Sequence, residues 1–156
     1  MNAIDLERRL QRIERMLDDL ASAGRPRIRT GTWTPEMFGS TTYGSTTYNY
    51  MYFGGRYLLI DNRCWFSMNV YWTSTTATGY MRFTLPFPHS SVSGWTVVPL
   101  RHSVFSFNPQ ATLRGHLRPG DQYFVIVEEW YTGNADELTV KPAGYIEAAG
   151  FYTIAT

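Results

Sequence analysis

Over residues 1–24 the apolar positions fall at Ala3, Leu6, Leu10, Ile13, Leu17 and Leu20, alternately three and four apart. That spacing is a heptad seam, with Ala3, Leu10 and Leu17 at a and Leu6, Ile13 and Leu20 at d. Asn2 is a good N-cap with Asp5 three residues on, and Gly24 followed by Pro26 closes the helix. A single amphipathic helix of this length is marginal in water, so it needs a partner surface. Arg9 at g and Glu14 at the following e suit an interhelical ion pair between parallel copies, and Leu at a with Ile at d favours more than two strands. The expectation is a coiled coil of three or four copies held by Leu6, Leu10, Ile13, Leu17 and Leu20. The alternative is a helix folded back on its own chain.

From Thr30 the period changes to two. In 63–73, Cys64, Phe66, Met68, Val70 and Trp72 alternate with Trp65, Ser67, Asn69, Tyr71 and Thr73, which predicts a long strand with one face in the core. Residues 79–85 alternate likewise, and further strands are predicted at 30–34, 55–60, 94–98, 103–107, 111–117, 122–130 and 145–154. Turn residues punctuate them, among them Gly54-Gly55, Asp61-Asn62, Asn108-Pro109, Pro119-Gly120 and Gly133-Asn134. Short strands at this density, with no second helical period, predict a mainly β chain: a jelly-roll or β-sandwich knob over 30–156. A basic linker at 25–29 joins it to the helix of 1–24. The strand 122–130 is apolar on both faces, so it is central or lies against a neighbouring subunit. Residues 40–48, STTYGSTTY, are a tandem repeat that suits a surface loop or a paired edge.

Composition removes several classes of function. With 14 Lys and Arg against 13 Asp and Glu, the chain has no field to draw it onto nucleic acid. No stretch approaches the roughly 20 apolar residues of a membrane span, and the charged N-terminus does not read as a secretory signal. The expectation is a soluble protein made in a cytoplasm and exported, if at all, by another route. A lone cysteine, Cys64, allows no internal disulfide, and its inward position beside Phe66 predicts a buried small hydrophobe. His89, His102 and His116 lack metal-ligand spacing and are expected at the surface. No metal site, cofactor or catalytic constellation is expected. The late carboxylates, Glu128, Glu129, Asp136, Glu137 and Glu147, are read as solvated or contact charges rather than a glycosidase pair. Aromatics make up 16% of residues. Tyr43, Tyr48, Tyr50, Tyr52, Trp65, Tyr71, Trp130 and Tyr131 are candidates for stacking on sugars or anchoring an interface. The segment 131–137, with Tyr131, Asn134, Asp136 and Glu137, is the expected adhesion loop.

Taken in order, GTWTP (31–35), GGRYLLIDNRCWFSMNVYWT (54–73), TGYMRFTLPFP (78–88) and GFYTIAT (150–156) resemble a domain of phage virion proteins of the tail-fibre or minor-structural type. The resemblance implies a trimeric jelly-roll-like knob on a coiled-coil stem, with no catalytic residues. The expected function is an exterior homotrimeric short tail fibre or receptor-binding knob. Its expected partners are itself, other virion proteins of tail, baseplate or capsid, and a host-surface glycan or protein. A stem this short also suits a capsid decoration protein of the cement or head-fibre kind, and a free trimeric lectin-like module is a third reading.

Overall fold

The computed structural model describes residues 11–16 and 26–155. Residues 11–16 are helical, and all six are exposed. Ile13, expected in the seam, is 53% exposed, so it is not a core residue of its own β body. Glu14 lies in it; Leu6, Arg9, Leu10, Leu17 and Leu20 lie outside the described residues.

The body is made of β1 (Ile28–Trp33), β2 (Met37–Gly39), β3 (Thr46–Ile60), β4 (Arg63–Thr75), β5 (Met81–Thr84), β6 (Thr96–Ser103), β7 (Ala111–Leu117), β8 (Tyr123–Trp130), β9 (Ala135–Glu137) and β10 (Gly144–Thr153). They form one antiparallel sheet in the order β1-β3-β4-β10-β6-β7-β8-β5-β2, with β9 beside β8. The two layers of the expected sandwich are thus one sheet folded on itself. Strand β6 is the corner: Thr96–Pro99 pair with β7 and Leu100–Ser103 with β10. Pro99 sits where the strand changes partners, the place in a sheet interior where a missing N–H costs least. The long-strand layer is β1, β3, β4 and β10; the short-strand layer is β7, β8, β5, β2 and β9.

Between the layers lies one core. Phe66, Met68, Val70 and Trp72 of β4 meet Phe124 and Ile126 of β8, Met81 and Phe83 of β5, and Val98 of β6. Phe83 and Phe124 stack at 5.5 Å between centroids. The glycine-aromatic motifs belong to this inner face. Gly31 lies opposite Tyr57 and Trp33 opposite Gly55, so these two glycines each face a ring across the ladder. A Cβ on Gly31 would stand 2.5 Å from the Tyr57 hydroxyl, and one on Gly55 2.5 Å from the Trp33 indole. Only a missing side chain lets the ring lie flat on the neighbouring backbone, which pins the register of this edge pair. Gly144 under Trp72 repeats the arrangement in β10.

The structure amends several expectations. Residues 94–98 and 103–107 are not two strands; β6 runs through 96–103, and Val104 at φ 78° ends it. That is a left-handed backbone in which a β-branched residue is strained. Strand β3 starts at Thr46, well before 55, and takes in the second copy of the tandem repeat, with register shifts near Tyr48 and Phe53. Strand β1 begins inside the expected linker, at Ile28. Cys64 is buried, but so is His89, expected at the surface: its Nδ1 lies 2.9 Å from the carbonyl oxygen of Arg118. The strand expected to be central or intermolecular is central, since β8 has β7 on one edge and β5 and β9 in succession on the other.

Candidate binding surfaces

The expected adhesion loop is a tight hairpin. Chain reversal after β8 is closed by the N–H of Gly133 on the carbonyl of Trp130, 3.0 Å, and the N–H of Trp130 on the carbonyl of Asn134, 2.9 Å. Gly133, at φ 82°, supplies the left-handed residue that such a turn requires. Tyr131 stands free at the tip, with Asn134 and Asp136 exposed beside it. Glu137 is drawn off the tip, because its carboxylate accepts the guanidinium of Arg118 on the outer face of the short-strand layer.

That outer face is charged and internally paired. Glu129 takes the Arg114 Nε at 3.0 Å through one oxygen and the His116 Nε2 at 2.9 Å through the other. The Arg118 guanidinium also lies 5.4 Å from the ring centre of Trp95, whose indole is 62% exposed, and His116 meets that ring edge-on at 6.1 Å. Val125 is flanked in register by Arg82 and His116, and Val127 by Arg114 and Glu137. The stems of these long polar residues roof the second apolar side of β8, which explains how it can be buried on both faces without a neighbouring subunit.

The outer face of the long-strand layer is different in kind. Down β4 the outward residues are Arg63, Trp65, Ser67, Asn69 and Tyr71, and β10 sets Phe151, Ala149, Glu147 and Tyr145 against the last four. Trp65 and Phe151 stack at 6.2 Å at one end. At the other, Tyr52, Tyr71 and Tyr145 gather with centroids 6.4 to 6.5 Å apart, beside the strained Val104. Burial, and secondarily the neighbouring Glu147 carboxylate, push the Tyr145 hydroxyl pKa up, so that ring carries a neutral donor. Between the aromatic ends the floor is small and polar, Ser67, Asn69 and Gly54, and a Cβ on Gly54 would meet nothing within 4 Å. The resulting trough, about 560 Å³ at its centre, where Thr32 and Trp33 of β1 also line it, shares Arg56 and Ser67 with the concavity at Trp65 and Phe151, and Tyr52 with the one at the tyrosines.

The fold recurs in a phage tailspike. The Dettilon tailspike protein (gp208), known from a crystal structure, matches 81% of this chain with a TM-score of 0.62 at 16% identity. The chain spans 24% of the length of that tailspike chain, and at this identity the likeness is one of fold. No protein-family model matches the chain, and no curated protein matches it in sequence.

On this β body the aromatic candidates divide. Tyr50 and Tyr52 are exposed, Trp65, Tyr71 and Trp130 half-buried. The two tyrosines of the tandem repeat separate: Tyr43 is exposed, stacks on Phe38 at 4.7 Å and donates to Glu36, whereas Tyr48 packs on Phe53 at 4.3 Å. Burial and the Glu36 carboxylate push the Tyr43 pKa to about 12. Phe151 and Arg56 were missed as site residues. Their signal was available, because in period two each alternates with residues of the inner side, Arg56 with Gly55 and Tyr57, Phe151 with Gly150 and Tyr152. Among the described residues no group of three or more His, Cys, Asp or Glu could hold a metal ion, and no helix is long and apolar enough to cross a membrane.

Proposed function

We propose that this chain is a non-enzymatic, tail-associated phage protein on the virion exterior, whose β body adheres to the host surface as a homotrimeric receptor-binding knob. The observation that carries this reading is the open aromatic face of the long-strand layer, on a body folded like part of a tailspike. Half-exposed rings placed beside hydrogen-bonding side chains are the equipment of a recognition surface. The heptad pattern around the exposed helix of residues 11–16 supports assembly through the N-terminal helix. Labelled full-length protein should bind host cells saturably and block adsorption of its phage, and light scattering should give a trimer mass. Binding to phage capsids without binding to cells would overturn adhesion in favour of decoration, and a monomer mass would remove the stem.

A further inference from the structure

We propose that the trough across β3, β4 and β10 is a binding site for an acidic oligosaccharide. The chain of sugars lies along β4, from the Trp65–Phe151 stack to the Tyr52–Tyr71–Tyr145 cluster. This rests on the adhesion reading and names the ligand class of that surface.

The dimensions suit an oligomer. From Trp65 to Tyr71 the strand advances about 20 Å at the usual rise per residue, room for several pyranose rings in a row. The chemistry is divided as a glycan divides its own surface. The C–H faces of pyranose rings stack on the terminal aromatics, while hydroxyls reach Ser67 and Asn69 on the floor between them.

Charge selects the acidic class. The face carries Arg56, Arg63 and Arg101 against Glu147, and Asp61 at the nearby turn is engaged with the backbone N–H of Arg27 at 2.9 Å. Among the described residues Arg56 and Arg63 have no carboxylate within ion-pair reach. Arg101 meets Glu147 only at 3.8 Å, with its side chain 82% exposed, a geometry that holds the arginine weakly. A planar guanidinium left free beside stacking rings is suited to bidentate capture of a sugar carboxylate. A second copy of the chain is a poorer occupant. The apolar rings sit at two separated ends with a polar floor between, whereas subunit interfaces place their apolar residues together at the centre.

The test uses the full chain with two acidic probes, a galacturonate hexamer and acidic polysaccharide from the host envelope, and maltohexaose as the neutral control. Calorimetry should show binding of an acidic probe that weakens with added salt, and weak or no binding of maltohexaose. Arg56→Ala should lower affinity about tenfold or more, in line with loss of a charge-assisted hydrogen bond. Ser67→Trp, which fills the exposed floor without touching the core, should abolish binding with unfolding temperature unchanged. Glu129→Gln, on the other layer, should leave binding alone. No binding of either acidic probe, equal binding of the neutral one, or indifference to both trough variants would overturn the site. So would a change of oligomeric mass in Ser67→Trp, which would make the trough a subunit contact. If both trough variants adhere to cells as well as the parent chain, the site falls and adhesion stands. If the parent chain ignores cells yet binds an acidic probe through Arg56, adhesion falls and the site stands.

Discussion

Both outer faces of the sheet carry arginines, and they differ in whether those arginines are paired. On the short-strand layer Glu129 holds Arg114 and His116, Glu137 holds Arg118, and the stems of these groups shield Val125 and Val127. Its polar groups are occupied in covering the fold. On the long-strand layer Arg56 and Arg63 have no carboxylate in reach among the described residues, and the aromatics stack on one another at the surface instead of under a roof. A charge already paired contributes to stability and has little left for a ligand; an unpaired one contributes little to stability and is available. The expected adhesion loop lies at the rim of the occupied face, which is why Glu137 proves to be part of an ion pair.

Both faces stand on one core, so the largest effect should come from cutting it and should erase the contrast. Trp72 is fully buried, donates its indole N–H to the carbonyl of Lys141 at 2.9 Å, and packs on Phe83 and Gly144. Trp72→Ala should cost about 3–5 kcal/mol. For a chain of this size that is a fall in melting temperature of about 10 °C or more, measurable by calorimetry. A loss confined to one layer, seen as protection from hydrogen exchange surviving in the other, would mean the layers are separate units.

The next largest effect sharpens the contrast itself. Glu129→Gln leaves Arg114 and His116 without their shared carboxylate and should cost about 1 kcal/mol, since the cluster is half-exposed and partly screened. The loss should shrink in high salt. Arg56→Ala, whose side chain is exposed and has no ion-pair partner among the described residues, should change stability by less than about 0.5 kcal/mol. Urea denaturation of the two variants side by side decides the matter. Equal costs would mean that the two faces do not differ in the way their ion pairs suggest.

How much of this could be read in the sequence depends on whether the deciding partner is near in the chain. The alternation of 63–73 fixes which of its residues face the core, because burial on one side of a strand is a local pattern; β4 keeps it from Arg63 to Thr73. Strand β3 hides its first half, since TTYNYMYFG is polar and aromatic on both sides and its pairing with β4 slips at Tyr48 and Phe53. Strands β2 and β9 are three residues each, too short for any period to register. The break at Val104 has no local signal, because nothing in its residue type favours a positive φ. The same holds for the surfaces. That Arg56 and Phe151 point outward follows from period two, but that Arg118 rather than solvent receives Glu137 depends on a register set 19 residues away. His89 was misplaced for the same reason: its cover comes from Arg118 and Tyr152, on other strands or loops.

The smallest effect tests the inner rim that the two faces share. His102, on the inward side of β6, lies edge-to-face against Phe107 at 4.7 Å and beside Phe105 at 5.3 Å. Burial lowers its pKa, favouring the neutral ring in the folded chain. The unfolded chain therefore takes up a proton first, near the ordinary histidine value of about 6.5. Below that pH the unfolded state binds more protons than the folded one, and linkage makes stability fall as the pH drops through the window between about 6.5 and the lowered folded value. Above about 6.5 both states are neutral at this site, and it contributes no slope. His102→Gln should flatten this part of the pH profile of urea stability, while Glu129→Gln and Arg56→Ala leave His102 its contribution. If the slope persists in His102→Gln, the protons are taken up elsewhere, and the corner strand is not where acid loosens the fold.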